Sequence, residues 1–135
     1  MSFYQKYARL THRYTLPSTE RLKSKKSIDA LFLNGQRHSV GTLRILHARS
    51  SEPGIRVGVG VSSKLFRRAV DRNRIKRQLR ECYRLQKNIL SERIAPTAGI
   101  DIFFIYTDKE MPDYAQLFAH LQKGLTKLVT IYQAG

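Results

Sequence analysis

The stretch from Ala69 to Leu90 constrains this chain more than any other, because its apolar side chains return at helical spacing over 22 positions. Ile75, Leu79, Cys82, Tyr83, Gln86 and Leu90 make one stripe, mostly apolar. At about 100° per residue, Asn73, Lys76, Arg77, Arg80, Arg84 and Lys87 gather on an adjoining arc, with Arg74 and Glu81 further round. Such a helix must lay one side on a core and keep the other in contact with water or an anion. It can be neither a fully buried helix nor a membrane span, and it requires a second layer to cover its stripe.

The arc belongs to a wider asymmetry of charge. The chain has 135 residues and a formal net charge of +15 at pH 7. Residues 1–99 carry 22 basic and 6 acidic side chains, whereas residues 100–135 have a net charge of −1. The densest block runs from Lys64 through Arg67, Arg68, Arg72, Arg74, Lys76, Arg77 and Arg80 to Arg84, against only Asp71 and Glu81. A merely soluble surface mixes both signs. So one-sided a block favours a polyanion, nucleic acid before an anionic membrane surface.

Other periodicities set the remaining elements. Ser24 is an N-cap for a short helix over KKSIDALFLN, with Ile28, Leu31 and Phe32 on one face and Gly35 placed to end it in the left-handed conformation. Arg37 to Val40 supplies an early strand, and Thr42 to Ala48 a second, with Leu43, Ile45 and His47 on one side and Arg44 and Leu46 on the other. Ile55 to Ser62 is the clearest strand: Ile55, Val57, Val59 and Val61 face one way, while Gly58 and Gly60 leave the other face open to close approach. Because these glycines lie inside a strand and no G-x-G-x-x-G follows, a nucleotide-cradling loop is rejected. After the breaker at 95–99, IDIFFIY reads as a strand covered on both faces. Pro112 and Asp113 then open a last helix with Leu117, Leu121, Leu125, Leu128 and Tyr132 as its core stripe. The order α-β-β-β-α-β-α predicts a single α+β domain, an α/β sandwich of one sheet with helices, over residues 21–135. Residues 1–20 are expected to form an extended or disordered arm.

The side chains offer little chemistry of their own. A nuclease that clamps metal ions needs clustered carboxylates. Asp101, Asp108, Glu110 and Asp113 are the nearest group, at a strand start and a turn. His12, His38, His47 and His120 have no ligand spacing, and His47 alternates with apolar strand residues as a packed side chain would. Cys82 falls on the apolar stripe, where a buried thiol is expected rather than a nucleophile. A lone cysteine also excludes an internal disulfide framework and fits a reducing compartment. The basic opening segment has no apolar h-region of a secretory signal, and with few Arg and Ser a transit peptide is the lesser reading. What remains is AVDRNRIKRQLRE, whose guanidinium groups suit phosphate by their planar fork.

That run resembles the signature of the bacterial ribonuclease P protein family. Similar too are Arg21-Leu22-Lys23 before the first helix, Leu31-Phe32 and Asn34-Gly35 at its end, and Arg56-Val57-Gly58-Val59-Gly60-Val61-Ser62 leading to Lys64. The resemblance spans about residues 20–132. It implies one mixed four-stranded sheet, with a left-handed crossover at the long basic helix against the usual right-handed rule. It also implies that a large RNA is the catalyst, using Mg²⁺ bound chiefly by that RNA, with no catalytic residue and no metal site on the protein. The partners implied are that catalytic RNA and precursor tRNA, in the bacterial cytoplasm, with no membrane and no obligate protein partner. The reaction implied is hydrolysis of one phosphodiester, removing the 5′ leader. Carried over by motif, Arg72, Asn73, Arg74, Lys76, Arg77, Arg80 and Arg84, with Lys64, Arg67 and Arg68, contact RNA, while Ile28, Phe32, Leu46 and Lys64 border a leader cleft.

Two departures stand out. Ile28 and Leu46 take places where the family often has aromatics for an unpaired base to stack on. Leu65-Phe66-Arg67-Arg68 replaces the usual glycine after the strand and is one residue longer. In the arm, Phe3, Tyr4, Tyr7 and Tyr14 alternate with Lys6, Arg9, His12 and Arg13, a mixture suited to single-stranded RNA. The alternatives are a non-catalytic RNA-binding protein of ribosomal type and a metal-dependent nuclease acting alone.

Overall fold

The computed structural model describes residues 16–133, so the aromatic and basic residues at positions 3–14 lie outside the described residues. A 3-10 turn over Ser18–Glu20 precedes α1 (Lys25–Asn34), β1 (Gln36–Val40), β2 (Leu43–Arg49) and β3 (Gly54–Val61). Then come α2 (Ala69–Gln86), a short α3 (Asn88–Ser91), β4 (Gly99–Tyr106) and α4 (Tyr114–Tyr132). The strands form one mixed sheet in the order β1-β2-β4-β3, with β2 antiparallel to β1 and β4, and β3 parallel to β4. β3 and β4 are thus neighbours joined through α2 and α3, the connection for which the family resemblance implies a left-handed path.

Local chemistry sets the element ends. Ser24 Oγ accepts from the Ser27 amide at 3.3 Å, and Asp113 Oδ1 accepts from Ala115 at 3.1 Å, each capping its helix. Gly35 stops α1 differently from the expectation. Its backbone is extended, at φ −69° and ψ 155°, and its amide donates to the Leu31 carbonyl. A Cβ there would lie 2.5 Å from that carbonyl oxygen, so the need for glycine is closeness, not a left-handed turn. The long helical pattern also divides earlier than its stripe predicts. At Lys87 the chain tightens, Leu90 N donating to Lys87 O at 3.0 Å, and this turns Leu90 and Ile94 into the core.

The two faces of the sheet are covered unequally. Leu43, Ile45, Ile100, Ile102 and Phe104 on one face pack with Ile75, Leu79 and Tyr83 of α2 and Leu121, Leu125 and Leu128 of α4, in a cluster of 22 buried residues. On the other face only Leu22, Leu31 and Leu46 are fully buried, with Ile28, Phe103 and Ile105 around them. Since each buried aliphatic side chain is worth about 1.5–3 kcal/mol, stability resides on the first face, and the second is free to stay partly open. β4 accordingly alternates: Ile100, Ile102, Phe104 and Tyr106 are buried, while Asp101, Phe103 and Ile105 are half-exposed, in contrast to the full cover predicted on both sides.

Residues 16–20, assigned from sequence to the arm, are part of the domain. Leu16 packs on the main core, and Glu20 pairs with Lys87 at 3.2 Å. Leu22 N donates to Val57 O at 2.9 Å, and Arg21 bridges Val57 in parallel, covering part of the otherwise open edge of β3.

One buried polar residue interrupts the apolar face. His47 is fully buried, its Nδ1 lies 2.6 Å from the Tyr132 hydroxyl, and its ring stacks on His38 at 4.7 Å. Burial, aided by the neighbouring His38, lowers its pKa from 6.5 to about 4. Above pH 6.5 neither folded nor unfolded chain protonates this ring, and its contribution is intact. Between 6.5 and 4 the unfolded chain takes up a proton that the folded one refuses, so stability falls as pH drops, by up to about 3 kcal/mol. Urea unfolding should show this decline between pH 7 and pH 4, and the His47 imidazole resonances should stay unshifted down to about pH 5. A ring titrating near 6.5 would contradict its burial.

Candidate nucleic-acid interface

Because Ile75, Leu79 and Tyr83 are pinned to the sheet, the phase of α2 is fixed and its cations must project elsewhere. Asn73, Arg74, Arg77 and Arg80 are exposed and Lys76 is half-buried. None of these five side chains has a hydrogen bond or ion pair with any described residue. Lys64 and Arg67 are exposed ahead of them, and exposed Arg68 lies 4.0 Å from Asp71. That last pair is solvated and worth little. The result is a ridge of charge that, among the described residues, only Asp71 approaches, and loosely.

Two of the motif arginines are placed differently. Arg84 is half-buried and forked onto Glu81, its Nε donating to Oε2 at 3.0 Å, so its charge is offset within the helix. Arg72 turns back to the preceding loop, where Nη1 donates to Phe66 O at 2.8 Å and to Arg67 O at 2.7 Å. This explains how the loop manages without glycine. Ser62 O accepts from Phe66 N at 3.1 Å, the buried Phe66 ring rests 6.1 Å from that of Tyr106, and Arg72 holds the carbonyls that follow. Arg72 therefore shapes the surface on which its neighbours stand.

Beside the ridge lies a cleft of about 310 Å³, walled by Arg21, Lys23, Ile28, Gly58, Arg80 and Phe103 among others. Gly58 lies in its wall and Gly60 two residues on, and the Phe103 ring crosses both; an added Cβ would come within 2.7 Å and 2.8 Å of that ring. Phe103 meets Phe32 edge to face at 5.3 Å, and Phe32 is 40% exposed. Arg80 belongs to both surfaces and joins them.

Of the sequence-predicted cleft residues, Ile28 lines this cavity and Phe32 borders it through Phe103. Leu46 does not: it is 1% exposed beneath α1, packed on Leu22 and Leu31, so its side chain supports the cleft from below. Lys64 stands in the loop after β3 and is not part of the cavity wall. Phe103, Arg21 and Lys23 are the residues that sequence reasoning missed. For Phe103 the signal lay in pairing IDIFFIY with the glycine strand, since parallel register sets Gly58 beside Phe103.

Groups capable of chemistry are occupied or scattered. Cys82 is fully buried, and desolvation pushes its thiol up to about 12. Asp101 pairs with Arg56 at 3.2 Å, and His120 Nδ1 accepts from the Thr42 amide at 3.3 Å. Among the described residues no three His, Cys, Asp or Glu side chains gather where they could hold a metal ion. Among them, too, no helix is long and apolar enough to cross a membrane.

An α+β domain whose cations line one helix and meet an aromatic cleft across glycine backbone is built as an RNA-binding protein. Comparison with known proteins makes this specific. A family model described as Ribonuclease P matches residues 16–129. The ribonuclease P protein component of Chlorobaculum tepidum is 44% identical over 128 residues, covering 85% of this chain and 83% of its own. That of Porphyromonas gingivalis is 34% identical over 119 residues, covering 85% and 87%. Among solved structures, the RNase P protein from Thermotoga maritima superposes with a TM-score of 0.66 at 26% identity, over 80% of this chain and 96% of that one. The Staphylococcus aureus RNase P protein shares the fold, with a TM-score of 0.64. The chain belongs to the ribonuclease P protein family, and so is a protein subunit of a ribonucleoprotein endonuclease that processes tRNA. Its partners by that membership are the RNA subunit and a tRNA substrate.

The division of labour between Arg72 and Arg77 is testable by stability. Arg72→Ala removes two charge-assisted bonds to carbonyls and should lower unfolding free energy by about 1.5–3 kcal/mol, whereas Arg77→Ala should change it by less than about 0.5 kcal/mol. Urea denaturation of both variants decides this, and equal effects would refute the structural role of Arg72.

Proposed function

We propose that the α2 ridge binds phosphates of the catalytic RNA while the adjoining cleft receives the 5′ leader of precursor tRNA, in the bacterial cytoplasm. The observation that carries this reading is the set of unpartnered cations on α2 running into a cleft that contains Phe103 and shares Arg80. Arg74, Lys76, Arg77 and Arg80, with Asn73 as a donor and acceptor, offset the repulsion between two polyanions. Lys64, Arg67 and Arg68 extend that field past the start of the helix. Mg²⁺ would be carried chiefly by the RNA, whose phosphate oxygens are hard ligands suited to it. Metal held by the RNA would supply the Lewis-acid chemistry for hydrolysis of the scissile phosphodiester, the leader's 3′-oxygen departing as water adds to phosphorus, and this chain's residues bind and orient the two RNAs.

A preference for precursor over product follows from differential contact, since only the precursor has a leader to place in the cleft. With Ile28 in an aromatic's usual place, stacking falls to Phe103 and Phe32. Arg56 is tied to Asp101, Ser50 Oγ at 2.9 Å and Glu52 O at 2.9 Å, so it shapes the strand end and is not counted among the RNA contacts.

Precursor-tRNA cleavage at low Mg²⁺ should be absent with protein alone and markedly greater with protein plus catalytic RNA than with RNA alone. Cleavage by the isolated protein would overturn the mechanism. Arg77→Ala should reduce the salt-dependence slope of RNA binding by about 0.7–0.9, one phosphate contact. Phe103→Ala should weaken precursor binding by about 1–3 kcal/mol while leaving mature tRNA unaffected. An equal loss for both RNAs would count against a leader contact.

A further inference from the structure

The sheet has two edges, and the one away from α2 is open. β1 pairs with β2 alone, while α2 packs toward β3 at the other end, three strand spacings or about 14 Å away. Val40 and Leu43 flank the two-residue turn at Gly41 and Thr42, and the flanking pair of such a hairpin exchanges its hydrogen bonds. The backbone amides of Arg37 and Ser39 therefore point outward at the free edge. α4 runs beside that edge, and between the two lies a groove of about 870 Å³. Gly124 lets α4 come this close to the sheet, since a Cβ there would collide with the Ile45 side chain. The groove shares no residue with the cleft beside α2.

Its walls carry donors and positive charge. Lys123 and Lys127 stand one turn apart on the exposed side of α4, with Gln122 and Thr126 beside them. Neither lysine side chain has an ion pair or hydrogen bond with any described residue. They are two of the three lysines in residues 100–135, and the four acids of that stretch all lie outside the groove. Ser39 faces them from the sheet edge. His120 stands at the turn, where its Nδ1 accepts from the Thr42 amide at 3.3 Å, which leaves the ring proton on Nε2 as another donor. Gly41, at φ +56°, makes room for that ring, because an added Cβ would run into it.

An open groove with ammonium, hydroxyl and amide donors and no carboxylate fits the phosphodiester backbone of RNA. A polypeptide adding itself to the β1 edge would need apolar pockets for its alternate side chains, and only Val40 and Ala119 here are aliphatic. We propose that the groove between β1 and α4 is a second RNA-binding surface, which holds a backbone segment of the catalytic RNA with Lys123 and Lys127 on successive phosphates. The inference rests on the RNA-binding reading above and extends it: RNA grips the domain at both edges of the sheet, so the protein bridges two separate segments.

Binding of the full chain to the catalytic RNA, measured over a range of salt concentrations, tests this. A Lys123→Ala/Lys127→Ala variant should lower the salt-dependence slope by about 1.4–1.8, two phosphate contacts. Combined with Arg77→Ala, the two losses should add, because the two surfaces are separate. A carboxylate placed in the groove by Thr126→Glu should weaken binding about tenfold, whereas Gln116→Glu, the same charge change on α4 outside the groove, should weaken it less than about twofold. All these positions are exposed, and unchanged urea midpoints verify that each variant folds. An unchanged slope in the lysine variant would overturn the proposal and leave the groove to a polypeptide strand. Equal losses from the two glutamates would overturn it too, by reducing the effect to net charge. Arg77→Ala alone reports on the α2 ridge, so failure here is distinguishable from failure of the reading it rests on.

Discussion

Everything at the RNA-facing surface depends on the seating of the α2 stripe against the sheet. Ile75 and Leu79 are wholly buried, and Tyr83 meets Phe104 at 6.0 Å between ring centroids. Gln86 donates to the Phe118 carbonyl of α4 at 3.1 Å, a polar tie that fixes the helix end as well. Rotating α2 by one residue would swing its cations by about 100° and carry charge into the core. The apolar contacts therefore select a direction for every guanidinium on the helix. The placement of charge is a packing result before it is an electrostatic one.

The unequal cover of the sheet supplies the second requirement. A face closed by a helix as thoroughly as the first would leave nowhere for a base to enter. Here α1 contributes only Leu31 as a fully buried residue, and β3 presents glycine backbone instead of side chains. The vacated space is taken by Phe103, reaching sideways from β4. Depth in the cleft is thus set by the missing Cβ of Gly58 and by one ring. The aromatic surface that Ile28 and Leu46 do not provide comes from a neighbouring strand.

Much of this was legible in the chain itself, for identifiable reasons. The stripe of α2 as far as Gln86, the alternation of β3 and the caps at Ser24 and Asp113 are local patterns, and each appears where its pattern lies. What was not legible depends on packing and on the way individual side chains turn, whether the partner is near or distant in sequence. Leu46 alternates correctly to the second face, but only the placement of α1 decides that it is buried there. Arg72 and Arg84 fit a basic motif as well as Arg77 does; the Phe66 carbonyl and the Glu81 carboxylate, met only in the fold, separate them. Gly35 in sequence suggests conformational freedom, yet the reason for it is that a Cβ would lie 2.5 Å from a carbonyl oxygen one turn back.

The same logic bears on why the C-terminal third is nearly neutral. α4 belongs to the thick side of the domain, with Leu117, Leu121, Leu125 and Leu128 in the main cluster, and it packs directly against α2. A strongly cationic α4 would raise the repulsion already present along the ridge, at separations comparable to the Debye length of about 8–10 Å. With the excess confined to residues 1–99, a net of +16, the element behind the ridge adds only Lys123 and Lys127 to the self-energy, and Asp101, Asp108, Glu110 and Asp113 ahead of it offset them. The asymmetry also gives the molecule a direction: a polyanion approaching from any side is drawn toward α2 before short-range contacts form. Orientation by the field and fit by the cleft then act in sequence, and both trace to which side chains α2 could bury.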